Sequence, residues 1–114
     1  MGPEAPYSER RRGERVLIRI PVKIYAVGQD GQHLNEATET VVVSRYGALL
    51  PVSRPLKHAS TIEVMNHFTQ EVEKFRVVWV AEKPKEGKFD VGVELLVPRE
   101  DFWGVRFPVR KRKV

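Results

Sequence analysis

The stretch Phe89-Asp90-Val91-Gly92-Val93-Glu94-Leu95 alternates apolar residues with polar or small ones without a break. Successive side chains of an extended strand point to opposite faces, so this segment has one face for a core and one for solvent. The same period of two governs most of the chain. Val16, Ile18, Ile20, Val22, Ile24 and Ala26 share a face, with Arg19, Lys23 and Tyr25 opposite. This predicts a first strand with an edge or bulge at Pro21. A second strand is expected from about Glu36 to Val43 and a third over Ala48–Val52, joined tightly through Ser44-Arg45-Tyr46-Gly47. Thr61–Met65 predicts a fourth and Val72–Glu82 a fifth, with Phe75, Val77, Trp79 and Ala81 on one face and Trp79 assigned to the core. Gly28–Gly31 and Lys83–Gly87 read as turns, and Phe89–Leu95 is the sixth strand.

Pro98-Arg99-Glu100-Asp101-Phe102-Trp103-Gly104 opens with Pro and two acids and stops at Gly, which predicts one helical turn. Six short strands with no long helical period point to an all-β fold. The expected architecture is a six-stranded antiparallel β-barrel with a short C-terminal helical turn, because closure removes exposed sheet edges. Phe102 and Trp103 are expected to cover one open end. A chain of 114 residues is one domain's worth. Residues 1–9 read as a flexible segment, 10–107 as the barrel with an arginine-rich arm, and 108–114 as a basic disordered tail.

Charge excludes several function classes. The chain has 20 basic and 15 acidic residues, a net of +5. Residues 16–109 hold 12 of each, so the body is neutral and the excess sits at the ends, above all at Arg110–Lys113. A neutral body lacks the cationic stripe that a specific nucleic-acid face needs. With no cysteine, disulfides, thiolate metal sites and a Cys nucleophile are ruled out. His33, His58 and His67 are scattered without ligand spacing, so no metal site is expected. Glu71 and Glu73 share a strand face, but no acid–base pair or nucleophile arrangement emerges, and catalysis is not expected. No apolar run is long enough to cross a bilayer, and no secretory leader is visible, so a cytoplasmic location is expected.

Two short motifs border predicted strands. Arg11 and Arg15 stand four apart just before the first strand, flanked by Arg10 and Arg12. Ser44 and Gly47 stand three apart at the corner between the second and third strands. In that order, at those boundaries, the chain resembles the PilZ family, small barrels that bind the bacterial second messenger cyclic di-GMP. That family carries R-x-x-x-R ahead of the first strand and [D/N]-x-S-x-x-G at the corner. The resemblance covers nearly the whole chain, including Val91–Leu95 and the apolar end at Phe102 and Trp103.

The resemblance implies a cyclic di-GMP receptor with no other cofactor, acting on an unidentified downstream effector protein. Arg11 and Arg15 would grip guanine and phosphate with bidentate donors, with Arg10 and Arg12 beside them. Ser44 would meet a base edge and Arg45 a phosphate. Gly47 would allow positive φ and close backbone approach. The arm would become ordered on binding. One position departs from the pattern. Val42 stands where the family has Asp or Asn, and its methyl groups cannot accept hydrogen bonds from guanine. A buried donor left unpaired costs about 1–3 kcal/mol. Weakened binding is therefore expected, and the alternative is a degenerate barrel that binds protein without nucleotide.

Overall fold

The computed structural model describes residues 15–99 and 101–105. The expected leader 1–9 and tail 108–114 lie outside these residues. Seven antiparallel strands form one sheet: β1 (Pro21–Val27), β2 (His33–Glu39), β3 (Val42–Ser44), β4 (Gly47–Val52), β5 (Thr61–Asn66), β6 (Val72–Val80) and β7 (Phe89–Leu95). Their spatial order is β2-β1-β5-β6-β7-β4-β3. The sheet curls into a half-barrel around an apolar core that includes Ile24, Val43, Leu50, Val64, Phe75 and Val93, each fully buried.

The strand count differs from the expected six because the second expected strand divides at Thr40. Pro21 pairs with Glu39 in β1–β2, whereas Val42 pairs with Leu49 in β3–β4. Between them the chain changes partners, and Thr40 holds the crossing. Its hydroxyl accepts from Ile20 N (2.9 Å) and donates to Ile18 O (2.6 Å), while its own N donates to Ile20 O (3.0 Å). These bonds satisfy backbone groups of 18–20 that a ladder would otherwise have to serve. For the same reason the first strand begins at Pro21 rather than Val16. The expected facing nevertheless survives: Ile20, Val22, Ile24 and Ala26 are buried, and Val16 and Ile18 pack against the core.

The two end strands of the sheet, β2 and β3, are not hydrogen-bonded to each other. Side chains close the gap between β2 and β4 instead. Thr38 Oγ1 donates to Pro51 O (2.7 Å), and Ser53 donates to the Glu36 carboxylate from N (3.0 Å) and Oγ (2.5 Å). Pro51, without an N–H, suits an unpaired strand edge.

The segment after β7 is a turn, not the expected helix. Among the described residues, Gly104 N alone reaches back, to Asp101 O (3.2 Å), with Gly104 at φ +72°. One such bond does not offset the cost of fixing a helical nucleus, so tertiary contacts set the path. Phe102 and Trp103 are buried and stack edge-on at 4.9 Å, both against Phe75. Asn66 Nδ2 donates to Phe102 O (2.9 Å). Outside this plug, Arg99 donates to Asp101 (2.9 Å), to Glu73 (3.0 Å) and to Glu71.

Two outcomes follow from these contacts. Thr40→Val leaves Ile20 N unpaired in the interior and is expected to lower unfolding free energy by about 1–3 kcal/mol in urea titrations. The Arg99 guanidinium holds the Asp101 carboxyl below its ordinary value of 3.8. A carboxyl with a lowered folded pKa contributes stability that is complete above the unfolded value and lost as pH falls through the folded one. Stability measured below pH 3.8 should therefore fall less steeply in Asp101→Asn than in the wild type.

Candidate ligand-binding face

The β3–β4 hairpin pairs Ser44 with Gly47, which leaves Arg45 and Tyr46 as a two-residue turn. Gly47 does not have positive φ, contrary to the sequence expectation. Space demands the glycine instead. A Cβ on Gly47 would lie 2.5 Å from Val93 O, with Ser44 Oγ and Glu94 Cγ each at 3.5 Å. The backbones of β4 and β7 thus approach as closely as only glycine permits.

Val16, the residue after Arg15, reaches this corner through the backbone. Val16 N donates to Val43 O (2.8 Å) and Val43 N to Val16 O (2.9 Å), an antiparallel pair that exchanges both bonds. One step either way sets Arg15 opposite Ser44 and Leu17 opposite Val42. Val43 is fully buried and Val16 packs on the core, so their neighbours belong to the outer face. Arg15 is exposed. Arg10, Arg11 and Arg12 lie outside the described residues.

Cross-strand register then assembles two parallel rows on the outer face. The first runs from Arg15 and Ser44 through Gly47 and Glu94 to Arg76. The second runs from Leu17 and Val42 through Leu49 and Gly92 to Trp79. Residues directly opposite on adjacent strands share a face. Trp79 joins the second row because a bulge between Val77 and Trp79 shifts the register of β6. An extra residue reverses the alternation, so Val80 packs on the core and Trp79 turns outward, half-buried. This corrects the assignment of Trp79 to the core.

Ser44 stands between Arg15 and Gly47 in the first row. It is fully buried, and its Oγ has no hydrogen-bond partner among the described residues. Among the described residues, Trp103 Nε1 in the aromatic plug is the other buried side-chain polar atom in that condition. A hydroxyl both donates and accepts, and leaving one buried and unpaired is costly. Arg45, Tyr46 and Glu94 each already have partners within the fold. The face therefore combines a cation, a spare hydroxyl and a glycine floor beside an apolar row that contains an indole.

Ser44, Gly47, Arg15, Arg45 and Val42, all expected from sequence, come together here. Leu17, Leu49, Trp79, Glu94 and Arg76 were not anticipated. Glu94 was legible as outward-facing from its alternation, but its place beside Gly47 needed the register. Among the described residues, no group of three or more His, Asp or Glu side chains gathers to hold a metal, and no helix is long and apolar enough to cross a membrane.

No family model matches the chain, and no curated protein matches it. Among solved structures it is similar to the Bacillus subtilis inhibitor of motility (MotI/DgrA), with a TM-score of 0.57 and 15% identity. The match covers 79% of this chain and 44% of that one, so the chain spans less than half of that protein's length. At such identity the likeness speaks for the fold.

The corner makes a paired prediction. Gly47→Ala is expected to destabilise by about 1–3 kcal/mol through overpacking against Val93 O. Ser44→Ala removes a buried, unpaired hydroxyl and should raise unfolding free energy, by up to about 1–3 kcal/mol. Equilibrium denaturation of both variants checks this contrast.

Proposed function

We propose that this chain is a PilZ-like receptor module that binds cyclic di-GMP on the outer face of β3, β4 and β7. Binding would reorder the N-terminal arm and carry the signal to an effector protein. The observation that carries the reading is the buried, unpaired Ser44 hydroxyl beside the Gly47 floor, with Arg15 opposite it.

The chemistry of the ligand suits these groups. Cyclic di-GMP has two anionic phosphates and two flat purines. Arg15, with Arg11 and its neighbours Arg10 and Arg12, supplies forked donors that meet phosphate or the guanine O6/N7 edge and also stack on rings. Ser44 would gain the partner it lacks. Arg45, at the turn, would meet a second phosphate in this reading. The module has no catalytic role in this reading and needs no further cofactor. Its output in this reading would be a change of conformation. The fold neighbour is an inhibitor of motility, which makes motility control the first process to examine.

Calorimetric titration with cyclic di-GMP tests the proposal. Wild type should bind, and Arg11→Ala and Arg15→Ala should each weaken binding about tenfold or more, as expected for loss of a charged hydrogen bond. Equal binding by wild type and both variants would remove the arm from the site. A second reading, a protein-docking module without nucleotide binding, draws on Val42 and on Leu17, which is 81% exposed on the same face. It predicts no heat from folded protein at any ligand concentration.

A further inference from the structure

The rows around Ser44 lie toward β3 and β4, and the outer face of β1, β5 and β6 carries a second arrangement. Tyr25 pairs with Glu63 and Glu63 with Lys74, and Leu96 N donates to Lys74 O (3.0 Å), which extends the row by one segment. The adjoining row pairs Lys23 with Met65 and Met65 with Val72. A hollow of about 440 Å³ lies beside Tyr25, His33 and Thr61, and one of about 350 Å³ beside Val72, Leu96 and Val97. Glu63 and Lys74 border both, so the two hollows form one depression with these side chains at its middle.

The flanks of the depression are apolar. Tyr25, Val72, Leu96 and Val97 line it, and they are four of the seven large apolar side chains exposed among the described residues. Such clustering marks a surface that another molecule covers. The charges at the middle narrow the choice of occupant. Arg99 engages Glu71 and Glu73, whereas Glu63 and Lys74 have no hydrogen bond or ion pair among the described residues. A carboxylate and an ammonium side by side, both unpaired, are complemented by a surface that presents the same two groups in reverse order. This face, turned over, is such a surface.

A two-fold axis in the interface, parallel to the strands and between β5 and β6, makes that turn. It sets Glu63 of each copy against the partner's Lys74, so the contact occurs twice. On the same row, Tyr25 falls against the partner's Leu96. On the next, Met65 falls against the partner's Val72. Arg76 pairs with Thr61 across β5 and β6, so the axis sets it against the partner's Thr61 and not against another cation. Apolar groups meet apolar groups, and Glu63 and Lys74 meet their opposites.

We propose that the outer face of β1, β5 and β6 is the contact surface of a homodimer, in which Glu63 of each copy pairs with the partner's Lys74 and Tyr25 packs on the partner's Leu96. This contact goes beyond the ligand reading and is independent of it, since Arg15, Ser44 and Gly47 take no part.

Sedimentation equilibrium of the full chain tests the dimer, with the folding of each variant checked by circular dichroism. Wild type should show a monomer–dimer equilibrium with a Kd below about 1 mM. Glu63→Lys sets cations against cations and Lys74→Glu sets carboxylates against carboxylates. Each should weaken self-association about tenfold or more. Mixed in equal amounts, the two variants should form a heterodimer, because the basic middle of one meets the acidic middle of the other. The double variant E63K/K74E restores opposite charges and should dimerise like the wild type. A wild type that stays monomeric up to about 1 mM overturns the proposal, whether residues 106–114 or a different protein covers the face instead. Unchanged self-association in a folded single variant overturns it, and so does a mixture of folded variants that forms no heterodimer. If a reversed charge unfolds the chain, Tyr25→Ala decides: it should lower the dimer affinity about tenfold or more, and an unchanged affinity overturns the proposal.

Discussion

A strand of three residues at the end of a sheet has too few ladder bonds to hold its own position. β3 keeps its place because residues 15–20 run along it and are fixed twice. Val16 exchanges two backbone bonds with Val43, and Thr40 ties Ile18 and Ile20 to the start of the strand. The apolar side chains of that segment sit on the core, so the tie costs no exposed hydrophobic surface on the inside. What remains outside is the arginine-bearing entry to the segment, next to the Ser44–Gly47 corner. Edge protection and assembly of the candidate face are thus one arrangement.

The outer face owes its shape to two local irregularities. Gly47 lets β4 and β7 approach so closely that Ser44 Oγ and Glu94 Cγ share the space above it. The β6 bulge turns Trp79 away from the core and into line with Gly92, Leu49 and Val42. Neither feature improves the core. Close approach without a side chain gives up packing, and a bulge interrupts a ladder. The inner side of the sheet is packed by the core, which includes the aromatic cluster of Phe75, Phe102 and Trp103.

The plug also explains why the C-terminal segment follows no regular element. Arg99 meets three carboxylates, and Asn66 holds the carbonyl of Phe102. With Arg99 and Phe102 both held by side-chain contacts, the two rings are buried.

Alternation in the chain was enough to read the all-β class, the inward set Ile20–Ala26, the Phe89–Leu95 strand and the burial of Phe102 and Trp103. Motif spacing at the predicted strand boundaries, rather than alternation, marked Arg15, Ser44 and Gly47. Period two is a local property, and the strands that obey it announce themselves. Thr40, Val16 and Trp79 were misread or unread because each depends on a partner far along the chain. A threonine that splits a strand, a valine that bridges to residue 43 and a tryptophan reversed by a bulge all look like ordinary strand residues in one dimension. Hydrogen bonds between distant segments decided register, and register decided which side chains share the outer face.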